Sequence, residues 1–208
     1  MTKLLLVRHG QSEWNAMGRW QGKANPPLTD LGKEQALLAA KKLPDFSILA
    51  SSDLVRAKET AEIFARAHNK ETADIFIEPQ VQERDAGEFS GLTRAEIDMK
   101  FPGYLAQNKW PPGWETDDVL ITRLREGLGR IVASSTEADS IVVVTHGGCI
   151  YALESLLGEE YRRISNLGGR WFDLIDNKFY LGKRIQLLAP DEETFPCLLY
   201  TSPSPRDS

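Results

Sequence analysis

Two short apolar runs end in the same way, and they constrain the fold more than any other feature of this chain. Residues 3–7 lead into an Arg-His-Gly sequence at His9, and residues 141–144 lead into a Thr-His-Gly-Gly sequence at His146. Four or more consecutive Leu, Val and Ile residues predict a strand that is buried on both faces. Open α/β sheets bind ligands at the carboxyl ends of their strands. Because the chain has only three histidines, two at strand ends predict one shared site.

The order of the other segments predicts an α/β fold. Strands and helices alternate, which is typical of a mostly parallel central sheet with helices on both faces. Two C-terminal segments on either side of a polar turn predict an antiparallel hairpin. We therefore expect a three-layer sandwich, with strands at 47–50, 75–77, 171–175 and 179–188 beside the two apolar runs, and helices at 31–43, 54–68, 94–101, 117–131 and 148–157.

Local signals predict where several helices begin. Thr29 is a predicted N-cap, residues 51–53 form a cluster of capping residues, and the spacing of Thr93 and Glu96 is that of a capping box. Residues 101–115 are rich in Pro, Gly and Trp without periodicity, which predicts an irregular cover over part of the molecule.

Composition limits the classes of partner. The chain has 208 residues and a net charge of −5, without a basic stripe or tail, which argues against a nucleic-acid or anionic-membrane partner. No stretch approaches the roughly 20 apolar residues of a membrane span. With only two cysteines, a disulfide framework is not expected. We expect a cytoplasmic protein that acts on a small molecule, and a homodimer stays open.

The C-terminal segment differs from the rest of the chain. Residues 196–208 are Ser-, Pro- and Arg-containing and lack any hydrophobic pattern, and they resemble translated adapter sequence rather than a native terminus. We therefore predict one domain over residues 1–195, followed by a disordered non-native tail over residues 196–208.

The octet at residues 8–15, Arg-His-Gly-Gln-Ser-Glu-Trp-Asn, resembles the Arg-His-Gly-x-Thr/Ser-x-x-Asn signature of the histidine phosphatase superfamily, which includes cofactor-dependent phosphoglycerate mutases. Other matches follow in the family's order. They are Leu28-Thr29 with Leu31-Gly32, Ser51-Ser52-Asp53-Leu54 with Arg56-Ala57 and Glu59-Thr60-Ala61, Glu83 before Gly87-Glu88, and Val144-Thr145-His146-Gly147-Gly148.

This resemblance implies a role for nine residues. His9 would be the nucleophile that becomes phosphohistidine, and Glu83 would give a proton to the leaving group. Arg8, Arg56 and His146 would complete the catalytic set. The phosphoryl group and its surroundings would be bound by Arg8, Asn15, Gln21, Gly22, Arg56, His146 and Gly147.

The chemistry of these side chains fits phosphoryl transfer without a metal or cofactor. Arginine meets phosphate oxygens with a planar, bidentate fork. Arg8, Arg56 and a protonated His146 would give a pocket of about +3, enough to hold a dianionic ester. His9 must instead attack as neutral imidazole, and local environment can select either state. Glu83 can supply a proton only where desolvation or nearby phosphate favours its protonated form. No metal-ligand spacing occurs in the sequence.

Three functions stay open at this stage. A metal-independent phosphomonoesterase acting on a small phosphorylated metabolite is favoured, because the segment after Glu83 is short and acidic, whereas phosphoglycerate mutases resembling this chain carry a longer basic insertion. A cofactor-dependent phosphoglycerate mutase and a catalytically silent phosphate-binding module are the alternatives.

Trp110 and Trp114 either pack in the cover or line the substrate site. Cys149 is expected to be a packing residue and not a reactive thiol.

Overall fold

The computed structural model of the chain describes residues 2–135, 140–176, 178–189 and Glu192. Six strands form one sheet in the order β3-β2-β4-β1-β5-β6. The strands are β1 (Thr2–Arg8), β2 (Ile48–Ser51), β3 (Phe76–Ile77), β4 (Ser140–Thr145), β5 (Gly168–Ile175) and β6 (Lys178–Gln186). The first four pair in parallel, while β5 pairs antiparallel with β1 and with β6. The predicted mixed sheet and C-terminal hairpin are confirmed.

The described residues form six α-helices, of which α2, α3, α5 and α6 pack on the sheet. The helices are α1 (Glu13–Ala16), α2 (Asp30–Ala40), α3 (Val55–Ala67), α4 (Arg94–Lys100), α5 (Asp117–Ala133) and α6 (Gly147–Leu156). Their ends differ from the predictions by a few residues. The predicted strand 75–77 is shortened because a 3₁₀ turn over Thr72–Asp74 precedes it. None of the described helices combines the length and hydropathy that a bilayer-spanning helix requires.

The apolar runs are buried on both faces because each face of the sheet has its own helical layer. On one face, Leu5 and Val7 of β1 pack in a cluster with residues of α2 and α3. On the other face, Leu4 and Leu6 pack in a cluster with residues of α5 and α6. Successive side chains of a strand point to opposite faces, so a continuous apolar run supplies both layers. The three-layer sandwich is confirmed.

Two of the three predicted helix starts are as expected. Thr29 Oγ1 accepts a hydrogen bond from Gly32 N at 2.9 Å, and Thr93 and Glu96 form a capping box. The prediction for residues 51–53 is wrong, because the N-cap of α3 is Leu54, which makes no side-chain capping bond. The preceding serines have other partners, described below.

The predicted cover is an aromatic cluster beside the main sheet. Its buried centre includes Phe89, Ile97 and Leu105, against which further aromatic side chains pack. Trp110 and Trp114 stack with ring centroids 4.2 Å apart. Packing of these two tryptophans is therefore confirmed, whereas their contact with a substrate stays a prediction. The tail at 196–208 lies outside the described residues.

Candidate active site

The carboxyl ends of three neighbouring strands bring the site together. His9 follows β1, and its backbone N donates to Thr145 O of β4 at 3.1 Å. Ser52 follows β2, and its backbone N donates to Val144 O at 3.0 Å. The rings of His9 and His146 lie with centroids 5.2 Å apart at an angle of 60°. The prediction that both strand ends contribute to one site is therefore supported by the geometry.

The ring of His9 is held by hydrogen bonds at both nitrogens. Nδ1 lies 2.6 Å from Gly10 O, and a carbonyl oxygen only accepts, so Nδ1 carries the proton. Nε2 accepts a hydrogen bond from Arg56 Nε at 3.1 Å. The lone pair of Nε2 consequently lies beside a guanidinium group, where a bound phosphoryl oxygen would also be stabilised.

Arg56 reaches this point from the first turn of α3 and is fully buried. Its Nη1 donates to Ala24 O at 2.7 Å and its Nη2 donates to Gly22 O at 3.0 Å. Burial lowers the pKa of Arg56 to about 10, partly opposed by the charge of Glu83. The guanidinium therefore stays protonated at pH 7, and it is oriented by the loop at residues 22–24.

Burial lowers the pKa of both site histidines well below the usual value of 6.5, and the charge of Arg56 acts in the same direction. Both rings are therefore neutral at pH 7. This agrees with the requirement that His9 attack as neutral imidazole. The lowered pKa of His146 disagrees with the prediction that this ring is protonated, so the positive charge of the pocket comes from the guanidinium groups of Arg8 and Arg56.

Glu83 lies against the N-terminus of α6. Its Oε1 accepts from Arg84 N at 2.8 Å and its Oε2 accepts from Gly148 N at 3.2 Å. A Cβ atom at Gly148 would lie 2.2 Å from Oε1 of Glu83. The second glycine of the Gly147-Gly148 pair is thus required for the carboxylate to approach the helix.

The other predicted phosphate-binding residues have structural contacts. Arg8 Nη1 donates to Ile164 O at 2.7 Å, and its Nε lies 3.8 Å from where a Cβ of Gly147 would be. Asn15 Oδ1 accepts from Ser12 N at 3.3 Å, which leaves its amide nitrogen as the donor. Gln21 Oε1 accepts from Ser12 Oγ at 2.7 Å, so this side chain is turned toward α1.

Sequence reasoning missed several residues that orient the candidate catalytic groups. Asn166 Nδ2 donates to the carbonyls of His9 and Gly10 at 2.9 and 3.1 Å. Ser52 Oγ lies 3.0 Å from Nε2 of His146. Asn166 gave no sequence signal, because it is separated from His9 by 157 residues. Ser52 directly follows a strand, which is a sequence signal for a site residue, but a serine at this position also predicts a helix cap.

A buried ion pair between Arg123 of α5 and Glu115, which precedes this helix, holds the segment that carries Glu83. Arg123 pairs with Glu115 at 2.6 Å, and their side chains are 11% and 7% exposed. The same guanidinium donates to the carbonyls of Gln80, Gln82 and Glu83 at 2.7, 2.8 and 3.0 Å. The backbone at residues 80–83 is therefore fixed relative to the long helix.

Cys149 is a packing residue, as predicted. Its side chain is fully buried, and Sγ donates to Gln82 O at 2.9 Å. Burial raises the pKa of the thiol to about 12, so it is not a thiolate at pH 7. Among the described residues, no three His, Cys, Asp or Glu side chains are grouped as a metal site would require.

A family model described as the histidine phosphatase superfamily (branch 1) matches residues 4–171. The chain belongs to this superfamily. It is 33% identical over 181 residues to a glucosyl-3-phosphoglycerate phosphatase of Mycolicibacterium vanbaalenii, a match that covers 80% of this chain and 79% of the relative. It is also 34% identical over 163 residues to the metal-independent phosphoserine phosphatase of Arabidopsis thaliana, which covers 74% of this chain and 67% of that protein.

Solved structures agree with this assignment. A mycobacterial glucosyl-3-phosphoglycerate phosphatase in complex with VO3 has a TM-score of 0.75 at 28% identity, covering 88% of this chain and 98% of that chain. Bacillus stearothermophilus YhfR, at 23% identity and a TM-score of 0.76, shares the fold and covers 87% of this chain and 95% of its own. The predicted family, its phosphatase branch and the enzyme class of histidine phosphatase are confirmed.

Proposed function

We propose that this chain is a metal-independent phosphomonoesterase that hydrolyses a small phosphorylated metabolite through a phosphohistidine at His9. The observation that carries the proposal is the arrangement of Nε2 of His9, which is unprotonated and 3.1 Å from Nε of Arg56. A nucleophilic lone pair and a phosphate-binding cation thus meet at one point. Phosphoryl transfer needs both, because the reaction depends on positioning and on charge stabilisation at the transferring group.

In the first step, Nε2 of His9 attacks phosphorus and the bond from phosphorus to the ester oxygen breaks. Arg8 and Arg56 stabilise the charge on the equatorial oxygens. Glu83 gives its proton to the departing alkoxide, which leaves as an alcohol. A dianionic phosphate bound next to this carboxyl favours the protonated form that donation requires.

In the second step, water attacks the phosphohistidine. Glu83, now a carboxylate, accepts a proton from the water while the bond from nitrogen to phosphorus breaks, so inorganic phosphate forms and Nε2 is regenerated. The backbone amides of Arg84 and Gly148 hold this carboxylate in place. The enzyme returns to its starting protonation state when phosphate leaves.

Charge pairing in the segment that follows Glu83 supports a phosphatase over a mutase. The mutases that this chain resembles grip a second acidic group with an insertion rich in basic residues. Here, basic side chains in the corresponding region pair with acidic neighbours: Arg84 with Asp117, Arg94 with Asp98 and Lys100 with Glu88. Two relatives with the phosphatase names given above point the same way, and both names denote small phosphate monoesters. Retention of His9, Arg56 and Glu83 in one site opposes a silent module.

Rapid quench with labelled substrate tests the proposal on three variants. His9→Ala should abolish turnover and the acid-labile phosphoenzyme. His146→Ala should lower the rate by roughly 10²- to 10³-fold and still allow slow labelling of His9, because it removes charge stabilisation and leaves the nucleophile. Glu83→Gln should slow alkyl esters by roughly 10²- to 10⁴-fold and activated aryl esters less, since an aryl leaving group departs without a proton.

Two results would contradict these assignments. Normal phosphoenzyme formation in His9→Ala would exclude His9 as the nucleophile. Equal rate losses of Glu83→Gln on alkyl and aryl esters would make Glu83 a structural carboxylate. Product analysis with phosphoglycerate separates hydrolysis from mutase activity.

Metal independence has its own test. Because the proposed pocket is built from guanidinium and imidazole groups, hydrolysis should continue in a strong chelator. Loss of activity in the chelator, with recovery on adding Mg²⁺ or Zn²⁺, would show that a divalent ion supplies the charge instead.

A further inference from the structure

The contact between Ser52 and His146 is not explained by the steps above. Both side chains are fully buried, and Ser52 Oγ lies 3.0 Å from Nε2 of the imidazole. The other ring nitrogen, Nδ1, is buried and has no hydrogen-bond partner in the described part of the chain. We propose that Ser52 is a positioning residue that fixes His146 in the tautomer protonated at Nδ1, so that this N–H donates to a phosphoryl oxygen. The inference rests on the proposed function for the identity of the ligand.

The hydrogen bonds of Ser52 determine the direction of this contact. A serine hydroxyl has one proton to donate and two lone pairs that accept. Ser52 Oγ already accepts from the backbone N of Leu54 at 3.2 Å. Donation of the hydroxyl proton to Nε2 of His146 therefore satisfies both groups, and it requires the ring proton to be on Nδ1.

The opposite tautomer leaves more buried groups unsatisfied. If Nε2 carried the proton and donated it to Ser52 Oγ, the hydroxyl proton would lack an acceptor among the bonds of the described residues. The lone pair of Nδ1 would also be unpaired. Each buried polar group without a partner is destabilising, so the tautomer with one unsatisfied group is favoured over the tautomer with two.

The single unsatisfied group of the favoured tautomer is the one that a phosphate ester can satisfy. Nδ1–H of His146 is a donor on a ring whose centroid lies 5.2 Å from that of His9, and the charges of Arg56 and Arg8 act on this ring. His9 is the same tautomer, but its Nδ1 proton is bound to Gly10 O, and it offers the lone pair of Nε2 beside Arg56 instead. Two neutral imidazoles thus take different parts: one supplies the lone pair that attacks phosphorus, and the other supplies a donor for an oxygen.

Nitrogen chemical shifts of the imidazole rings test the tautomer directly. Labelling with ¹⁵N-histidine gives a simple long-range ¹H–¹⁵N spectrum, because the chain has only three histidines. In the unliganded wild-type protein we expect a protonated Nδ1 and an unprotonated Nε2 for His146. In Ser52→Ala we expect a mixture of the two tautomers. A wild-type ring protonated at Nε2 would overturn the proposal.

A double-mutant cycle with inorganic phosphate as the probe tests the consequence for binding. Ser52→Ala should weaken phosphate binding by roughly 2- to 10-fold, because apparent affinity falls in proportion to the fraction of the population that keeps the donor. His146→Asn replaces the ring by an amide, whose N–H donor does not depend on a choice of tautomer. In that background, Ser52→Ala should have little further effect.

Ser51→Ala is the matched control, since it removes a buried hydroxyl that donates to the Ser52 carbonyl at 2.8 Å, whereas the hydroxyl that bonds to His146 is that of Ser52. It should leave phosphate affinity nearly unchanged. Equal losses for Ser52→Ala in the wild-type and His146→Asn backgrounds would overturn the proposal, because the serine would then act through Leu54 and not through the ring.

These readouts separate this inference from the proposed function. Neither the spectrum nor phosphate binding requires turnover, so both remain informative if no ester is hydrolysed. If no phosphohistidine forms but the tautomer and the double-mutant cycle are as expected, only the proposed function is contradicted. If phosphohistidine forms but the ring of His146 is protonated at Nε2, only the role of Ser52 is contradicted.

Discussion

At the scale of single residues, the site depends on keeping ionisable side chains in defined protonation states. His9 and His146 are buried close to Arg56, and burial and its charge both favour the neutral imidazole. A neutral ring can attack through one nitrogen and donate through the other. Arg56 keeps its charge even though it is fully buried, because its pKa of about 10 is still well above neutral pH.

The lowered pKa values of the two histidines predict a loss of stability in mild acid. The unfolded chain binds a proton at each histidine below about pH 6.5, whereas the folded protein does not until a lower pH. The free energy of unfolding should therefore fall as pH drops below about 6.5, by at most about 1.4 kcal/mol per pH unit for each ring. Above about pH 6.5 the contribution of the two neutral histidines to the free energy of unfolding is fully present.

Urea unfolding at about pH 7.5 and about pH 5.5 measures this effect. The matched control is the double variant His9→Asn, His146→Asn, in which the free energy of unfolding should depend less on pH between these values. An unchanged pH dependence in the double variant would show that other groups cause the loss.

Gly148 allows a test of the position of Glu83. In Gly148→Ala, a Cβ atom 2.2 Å from Oε1 would displace the carboxylate. We expect kcat/KM for alkyl phosphates to fall by roughly 10²-fold, with a smaller loss for activated aryl phosphates. Gly129 of α5 is the control, because a Cβ there meets nothing within 4 Å. Gly129→Ala should retain activity and add about 0.5–1 kcal/mol of stability. Equal effects of Gly148→Ala on both ester types would contradict this reasoning.

At the scale of secondary-structure elements, α5 fixes the segment that carries Glu83. Arg130 pairs with Glu78 at 2.8 Å, and Arg123, seven residues earlier, holds the carbonyls of residues 80–83. Residues seven apart lie on the same face of a helix. One helix face thus holds both ends of the 78–83 segment, and the arginine nearer to Glu83 is the one that is buried.

Lysine substitutions at these two arginines separate positioning from stability. Lysine keeps the charge but cannot reproduce the guanidinium fork. Arg123→Lys should lower kcat for alkyl esters with little change in KM, because Glu83 loses its backbone support while the phosphate-binding groups are untouched. Arg130→Lys, at a half-exposed position without contact to Glu83, should change kcat little. A similar kcat for both variants would show that α5 contributes stability only.

At the scale of the whole molecule, three layers place the site at the carboxyl ends of the central strands, with the aromatic cover beside it. Ala86 forms an isolated bridge with Trp114, and a Cβ at Gly22 would lie 2.8 Å from the backbone N of Ala86. The cover therefore packs directly against the loop that orients Arg56. This contact makes the cover part of the support of the pocket.

The C-terminal tail gives the prediction at this scale. Residues 196–208 have no hydrophobic pattern, and the site is assembled from residues before them. Deletion of this segment should leave the melting temperature and the rate of ester hydrolysis unchanged. A clear loss of either would show that the segment belongs to the folded domain, contrary to our prediction of its origin.

The sequence by itself determined the fold class and the position of two histidines at strand ends. Continuous apolar runs require helices on both faces of a sheet, and His9 and His146 follow two of those runs directly. Such features are local, because a strand and the residue after it are neighbours in the chain. Helix ends were less predictable, since Leu54 replaced the expected polar cap of α3.

Only the tertiary structure decided the protonation and orientation of these groups. Ser52 and His146 are separated by 94 residues, and Asn166 and His9 by 157. They meet because β2, β4, β1 and the segment before β5 are adjacent in the sheet order. Burial and hydrogen bonding set which nitrogen carries a proton, and both depend on neighbours that sequence spacing does not specify. His146 is neutral for this reason, although its residue type alone allows either charge.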